Sequence, residues 1–67
     1  MHFDKRKAQA ILEASNLSIP QLAKRASLSI SGTYHLLKSK EPSDPKLSTI
    51  NALAQAMGCK STDLISE

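Results

Sequence analysis

The chain has 67 residues, nine Lys+Arg against six Asp+Glu, a formal charge of +3 and one cysteine. This length supports a single domain with one small core, Cys59 has no intramolecular disulfide partner and fits a reducing compartment, and no apolar run could cross a bilayer. With no secretory leader readable, a cytoplasmic location is expected. The basic balance permits nucleic-acid or anionic-surface binding; Phe3 and Tyr34 are too few aromatics for the stacking platforms of single-strand binders, so duplex DNA is the better expectation if the charge lies on one face.

Asp4 is a predicted cap for a first helix over residues 5–15, with Ala8, Ile11, Leu12 and Ser15 on one stripe. Lys5-Arg6-Lys7 opposes the dipole of that helix by a few tenths of a kcal/mol, roughly, and reads either as a solvated face or as a phosphate-contacting patch. Asn16 tolerates a left-handed backbone and ends the helix, and Leu17 turns back into the core. Ser18 caps a second helix over Ile19–Ala26, Gln21 completes a capping box, and Pro20 sits harmlessly in the first turn. Leu22, Ala23 and Ala26 face inward, and the small Ala23 allows close helix crossing. Leu28 plugs the corner that follows.

Ser29 caps a third helix from Ile30 to Lys38 or Ser39, apolar at Thr33 (by its methyl), Leu36 and Leu37. Gly32 inside it costs up to ~1 kcal/mol relative to Ala, which predicts a packing or close-approach reason. Residues 18–38 thus read as a helix-turn-helix unit. Residues 39–44 read as a loop. Asp44-Pro45 is expected to start a fourth helix running to Met57, striped by Leu47, Ile50, Leu53, Ala54 and Met57 and stopped by Gly58. Residues 61–65 suffice for one final helical turn. Cys59 reads as a small apolar residue at a helix end. No stretch alternates with period two, so no strands are expected.

From Ala8 to Ile65 the pattern resembles the phage-repressor-like helix-turn-helix family, the Cro and C1-repressor type also called XRE. The resemblance rests on Leu17-Ser18, Leu22-Ala23, Leu28-Ser29-Ile30-Ser31, Leu36, the run from Leu47 to Cys59, and Asp63-Leu64-Ile65. It implies an all-α, compact five-helix bundle, lambda-repressor-like, that binds operator DNA as a homodimer. Three positions depart from the family pattern. Ser27 stands at the corner where members usually have Gly, at a strain of roughly 1–2 kcal/mol if the left-handed backbone is kept. Ile19 replaces a phosphate-gripping Gln. Leu12 and Leu37 stand where members often pair Arg with Glu, an apolar contact that avoids burying charge.

The resemblance also implies a third helix lying in the major groove. Ile30, Ser31, Tyr34 and His35 would face base edges, Ile30 offering a surface for a thymine methyl and the others hydrogen-bonding tips. Gly32 could bring the helix backbone close to a phosphate or base. No Arg, Asn or Gln lies on that face, so the bidentate contacts worth ~1–3 kcal/mol each are missing, and shape readout and dimerisation must supply the rest. Phosphate contacts are expected from Ser18, Gln21, Ser29, Lys38, Lys40 and Lys46, whereas Lys24 and Arg25 read as plain surface charge. Cys59, Leu64 and Ile65 are the expected dimer surface.

Rival chemistries fare poorly. His2, His35, Cys59 and the acids form no triad or carboxylate pair at a readable spacing, and two His with one Cys are too few for structural zinc. The first helix lacks the interfacial aromatics of a membrane-surface helix. No catalytic, metal, cofactor or small-molecule site is expected. The expected function is a transcriptional repressor of the Cro/C1 type, from a prokaryote, phage or mobile element. The alternative is a protein-interaction module, of antitoxin or anti-repressor type, on the same fold.

Overall fold

The computed structural model describes residues 2–40 and 45–66. Four helices carry the architecture: α1 (Lys5–Ala14), α2 (Ile19–Ala26), α3 (Ile30–Lys38) and α4 (Leu47–Met57). A single 3-10 turn (Ser61–Leu64) follows, and two short strands, β1 (His2–Phe3) and β2 (Ile65–Ser66), pair antiparallel with His2 opposite Ser66 and Phe3 opposite Ile65.

The helix starts follow from the capping residues. The Asp4 carboxylate accepts from the amides of Arg6 (3.0 Å) and Lys7 (3.1 Å). These charge-assisted bonds offset the misplaced cations of the first turn. The Lys7 amide bond is the main reason the Asp4 carboxyl titrates below its ordinary range. Ser18 and Gln21 form the predicted reciprocal box: the Ser18 hydroxyl accepts from the Gln21 amide, and the Gln21 side chain accepts from the Ser18 amide. Ser29 caps α3 through the Gly32 amide at 3.0 Å.

The ends of α1, α2 and α4 each use a left-handed residue, at Asn16 (φ 61°), Ser27 (φ 58°) and Gly58 (φ 72°). The corner residue Ser27 therefore keeps the backbone that Gly usually supplies, and carries the strain.

The core joins every element. Ala8 and Leu12 of α1, Leu22 and Ala26 of α2, Leu37 of α3, and Ile50, Leu53, Ala54 and Met57 of α4 close on one cluster, with Phe3 and Leu64 supplied by the chain ends. Ala23 is fully buried, and Leu17 and Leu28 pack against the cluster from the corners. Leu12 and Leu37, the apolar replacements for a charged pair, are both buried in it. Thr33 is fully buried, and its hydroxyl is satisfied by donating to the Ser29 carbonyl at 2.8 Å.

Four expectations need correction. The fifth helix is a 3-10 turn: its defining bond runs from the Asp63 amide to the Lys60 carbonyl, and four residues cannot sustain an α-helical ladder. Strands exist, because the extended chain beyond Leu64 returns along Phe3; two-residue strands are too short to show any alternation. Helix α4 starts at Leu47, after the Lys46 cap, rather than at Pro45, and Asp44 lies outside the described residues, as do 41–43 of the expected loop. Finally, Leu47 is 62 % exposed and does not join the α4 stripe. A side chain at the first helical position leans toward the preceding segment, away from the core beneath the later turns.

Candidate nucleic-acid interface

Helix α3 has two faces of opposite character. Thr33 and Leu37 are fully buried. Ile30, Ser31, Tyr34 and His35, at spacings of one, three and one, share the outer face, and all four are exposed. Ile30 is 56 % and Tyr34 59 % exposed, unusual for side chains of that size. Tyr34 does not shelter under α1; its ring stands in solvent, available to a ligand.

The expected phosphate-gripping side chains cluster at helix starts. Ser18 and Ser29 use their oxygens as acceptors for cap amides, which leaves each hydroxyl proton free to donate outward. Gln21 commits its carbonyl oxygen to the Ser18 amide and keeps its NH₂ group as a donor. The first-turn amides of a helix add partial positive charge of the kind that attracts phosphate. Lys38, Lys40 and Lys46 are exposed. Lys46 stands at the cap position of α4, and among the described residues no side chain caps the amides of that helix start.

Gly32 has its close-approach reason, and it is local. A Cβ there would lie 2.7 Å from the Ser29 Oγ, the atom that caps the helix. Lys24 and Arg25, both read as surface charge, are exposed and border different grooves. Lys24 lines a groove with Pro20, Gln21, Leu28 and Ile30, beside the first residue of the outward α3 face, whereas its neighbour Arg25 lines a separate groove with Ala26, Ser27, Ala52, Gln55 and Ala56. The three-residue spacing from Gln21 to Lys24 puts both on one side of α2.

The Lys5-Arg6-Lys7 run is divided in the same way. Lys5 donates to the Ser39 carbonyl (2.7 Å) and Lys7 to the Ile65 carbonyl (3.0 Å), while Arg6 is exposed. Two of the three cations are therefore tied to backbone carbonyls of the fold, although Lys7 stays exposed.

An exposed helix face behind a tight corner is the form of a helix-turn-helix unit, and residues 9–66 match the family of the Cro/C1-type HTH DNA-binding domain. The chain belongs to that family. As a Cro/C1-type domain it has double-stranded DNA as its partner class. A search of curated proteins returned no match to the chain.

The Cro/C1-type domain offers little else chemically. Among the described residues no three His, Cys, Asp or Glu gather where a metal ion could be held, and no helix is long and apolar enough to cross a membrane. Cys59 is half-buried against the core, and burial, with the Asp63 carboxylate nearby, pushes its thiol up. That thiol is a poor nucleophile at neutral pH. Of the expected dimer residues, Leu64 is corrected: it is fully buried within its own chain and has no surface to offer, because the 3-10 turn drives it under α1 and α4. Cys59 and Ile65 are partly exposed.

Proposed function

We propose that this chain is a small transcriptional repressor that binds a two-fold DNA operator, inserting α3 into the major groove of each half-site, with residues 1–67 acting as one reading domain. The single observation that carries the reading is the contrast across α3. Its inner face is sealed by Thr33 and Leu37, and its outer face leaves two large side chains, Ile30 and Tyr34, more than half exposed. Ile30 contributes thymine-methyl contact, and Ser31, Tyr34 and His35 contribute hydrogen bonds to base edges. Ser18, Gln21, Ser29, Lys38, Lys40 and Lys46 hold phosphates on either side, and Lys24 joins them from its groove beside Ile30. Cys59 and Ile65 mark the surface through which two copies pair.

The test is a salt titration of duplex binding, first with sites selected from random sequence. The reading requires affinity that falls steeply with salt and is abolished by Ser31→Glu or sharply reduced by Lys40→Glu. It further requires protected half-sites about 34 Å apart, one helical turn. Absence of duplex-dependent amide shifts at low salt would sink it. A second reading, a protein-docking module on the same fold, draws on the apolar exposure of Ile30, Tyr34 and Leu47. It would win if the folded protein ignores duplex DNA.

A further inference from the structure

Helix α3 faces a mechanical difficulty. A helix that must enter a groove has its outer face committed to the ligand, so its attitude has to be fixed from the inner face and the ends. The near end is fixed at the corner, where the Leu28 amide bonds the Ala23 carbonyl at 2.8 Å and Ser29 caps the first turn. The far end finishes without a left-handed turn: Ser39 is extended, with φ −64° and ψ 145°. The carbonyls of the last turn then need other donors.

They are supplied by α1. Gln9 donates through Nε2 to the Leu37 carbonyl, and Lys5 donates through Nζ to the Ser39 carbonyl at 2.7 Å. Lys5 and Gln9 are four residues apart and share one face of α1. Both side chains are half-buried rather than waving in solvent. Leu12 of α1 and Leu37 of α3 belong to the same buried cluster, where apolar packing carries no directional preference. Among the described residues, the pair of polar bonds from α1 supplies directional contacts at this end of α3.

We propose that Gln9 and Lys5 are positioning residues for DNA recognition: they grip the C-terminal carbonyls of α3 and set the angle at which its outer face enters the groove. The proposal rests on the DNA-reading role given above. The lever is favourable. Leu37 lies about 10 Å along the helix from Ile30, so a displacement of about 1 Å at the far end swings α3 by about 5° about the corner. Base-edge hydrogen bonds tolerate little of that, whereas contacts to phosphate, from flexible lysines, accommodate it.

The experiment compares the full chain with Gln9→Met, which keeps length and helix propensity but removes the donor, and with Gln9→Lys, which returns one. Affinity is measured for a duplex selected from random sequence and for a scrambled duplex of the same composition. Gln9→Met is expected to weaken the selected duplex by about 5- to 10-fold and the scrambled one by less than about twofold. Gln9→Lys is expected to restore most of the ratio, which cancels its added charge. Residual dipolar couplings of the free protein provide a DNA-independent readout. They should show α3 reoriented relative to α1 in Gln9→Met and in Lys5→Met. An equal loss on both duplexes, no loss on either, or unchanged couplings in both variants would overturn the proposal. If the wild-type chain fails to distinguish selected from scrambled duplex, the DNA-reading role is what fails, and the couplings alone then decide the latch.

Discussion

The ends of α2 and α4 are built alike and filled differently. At the first, the Ser27 amide bonds the Lys24 carbonyl at 3.2 Å and the Leu28 amide reaches the Ala23 carbonyl at 2.8 Å. At the second, the Gly58 amide bonds the Gln55 carbonyl at 3.2 Å and the Cys59 amide reaches the Ala54 carbonyl at 2.9 Å. In both, a left-handed residue reverses the chain and the next side chain, Leu28 or Cys59, folds back against the core. The left-handed residue is glycine in one and serine in the other. The lock is thus dictated by the apolar residue that must return, and the helix-turn-helix corner accepts backbone strain that the α4 corner avoids. Strain at the corner before α3, the helix proposed to read DNA, fits a functional constraint there.

The comparison can be broken most directly at Gly58. Nothing lies within 4 Å of the Cβ an alanine would add, so Gly58→Ala isolates the backbone term. It is expected to destabilise by about 1 kcal/mol, a loss of about 4–8 °C in melting temperature for a domain of this size. The reverse change at the other corner, Ser27→Gly, should stabilise by about 0.5–1 kcal/mol, net of the extra freedom glycine gives the unfolded chain. Its duplex affinity should stay within about twofold of wild type, because the lock itself is unchanged. If both substitutions shift stability in the same direction, the two corners are not equivalent.

A chemical probe sharpens the same contrast. Alkylation of Cys59 at neutral pH should be slow, since burial and the Asp63 carboxylate disfavour the thiolate. Gly58→Ala, by loosening that corner, should accelerate it several-fold, whereas Ser27→Gly should leave it unchanged; the rate of thiol modification under native conditions reads this. The smallest effect is expected at Gly32→Ala. The gain in helix propensity, about 1 kcal/mol, is offset by displacement of the Ser29 cap, also worth about 1 kcal/mol. Thermal denaturation should show a change within about 0.5 kcal/mol. A clear stabilisation would mean the cap adapts.

Most of the helical frame is legible in the sequence because its signals are local. Asp4, Ser18 with Gln21, and Ser29 cap where they stand, and Gly58 and Asn16 stop where they stand. The α3 faces follow from helical spacing alone. What escapes the sequence depends on tertiary neighbours. The strands arise because Leu64 is drawn into the core and carries Ile65 back beside Phe3. Leu47 fails its stripe because a helix can extend past the core that its later turns cover. The placement of Lys24 beside Ile30 needs the crossing of α2 and α3. The bond from Gln9 to the Leu37 carbonyl joins a side chain to a backbone atom 28 residues away, and no residue-type pattern encodes that acceptor.

The pairing of β1 with β2 sets His2 against Ser66, and this has a consequence for the chain as an object. Opposed residues in such a pair have Cα atoms about 5 Å apart, so a short engineered linker between His2 and Ser66 would close residues 2–66 into a ring. Such a closure would hold the bond from the Asp4 amide to the Leu64 carbonyl (2.8 Å) in place and restrict the unfolded ensemble. A ring opened instead at the exposed Lys40 would place new ends elsewhere, turning the seam that now holds the molecule shut into an ordinary turn.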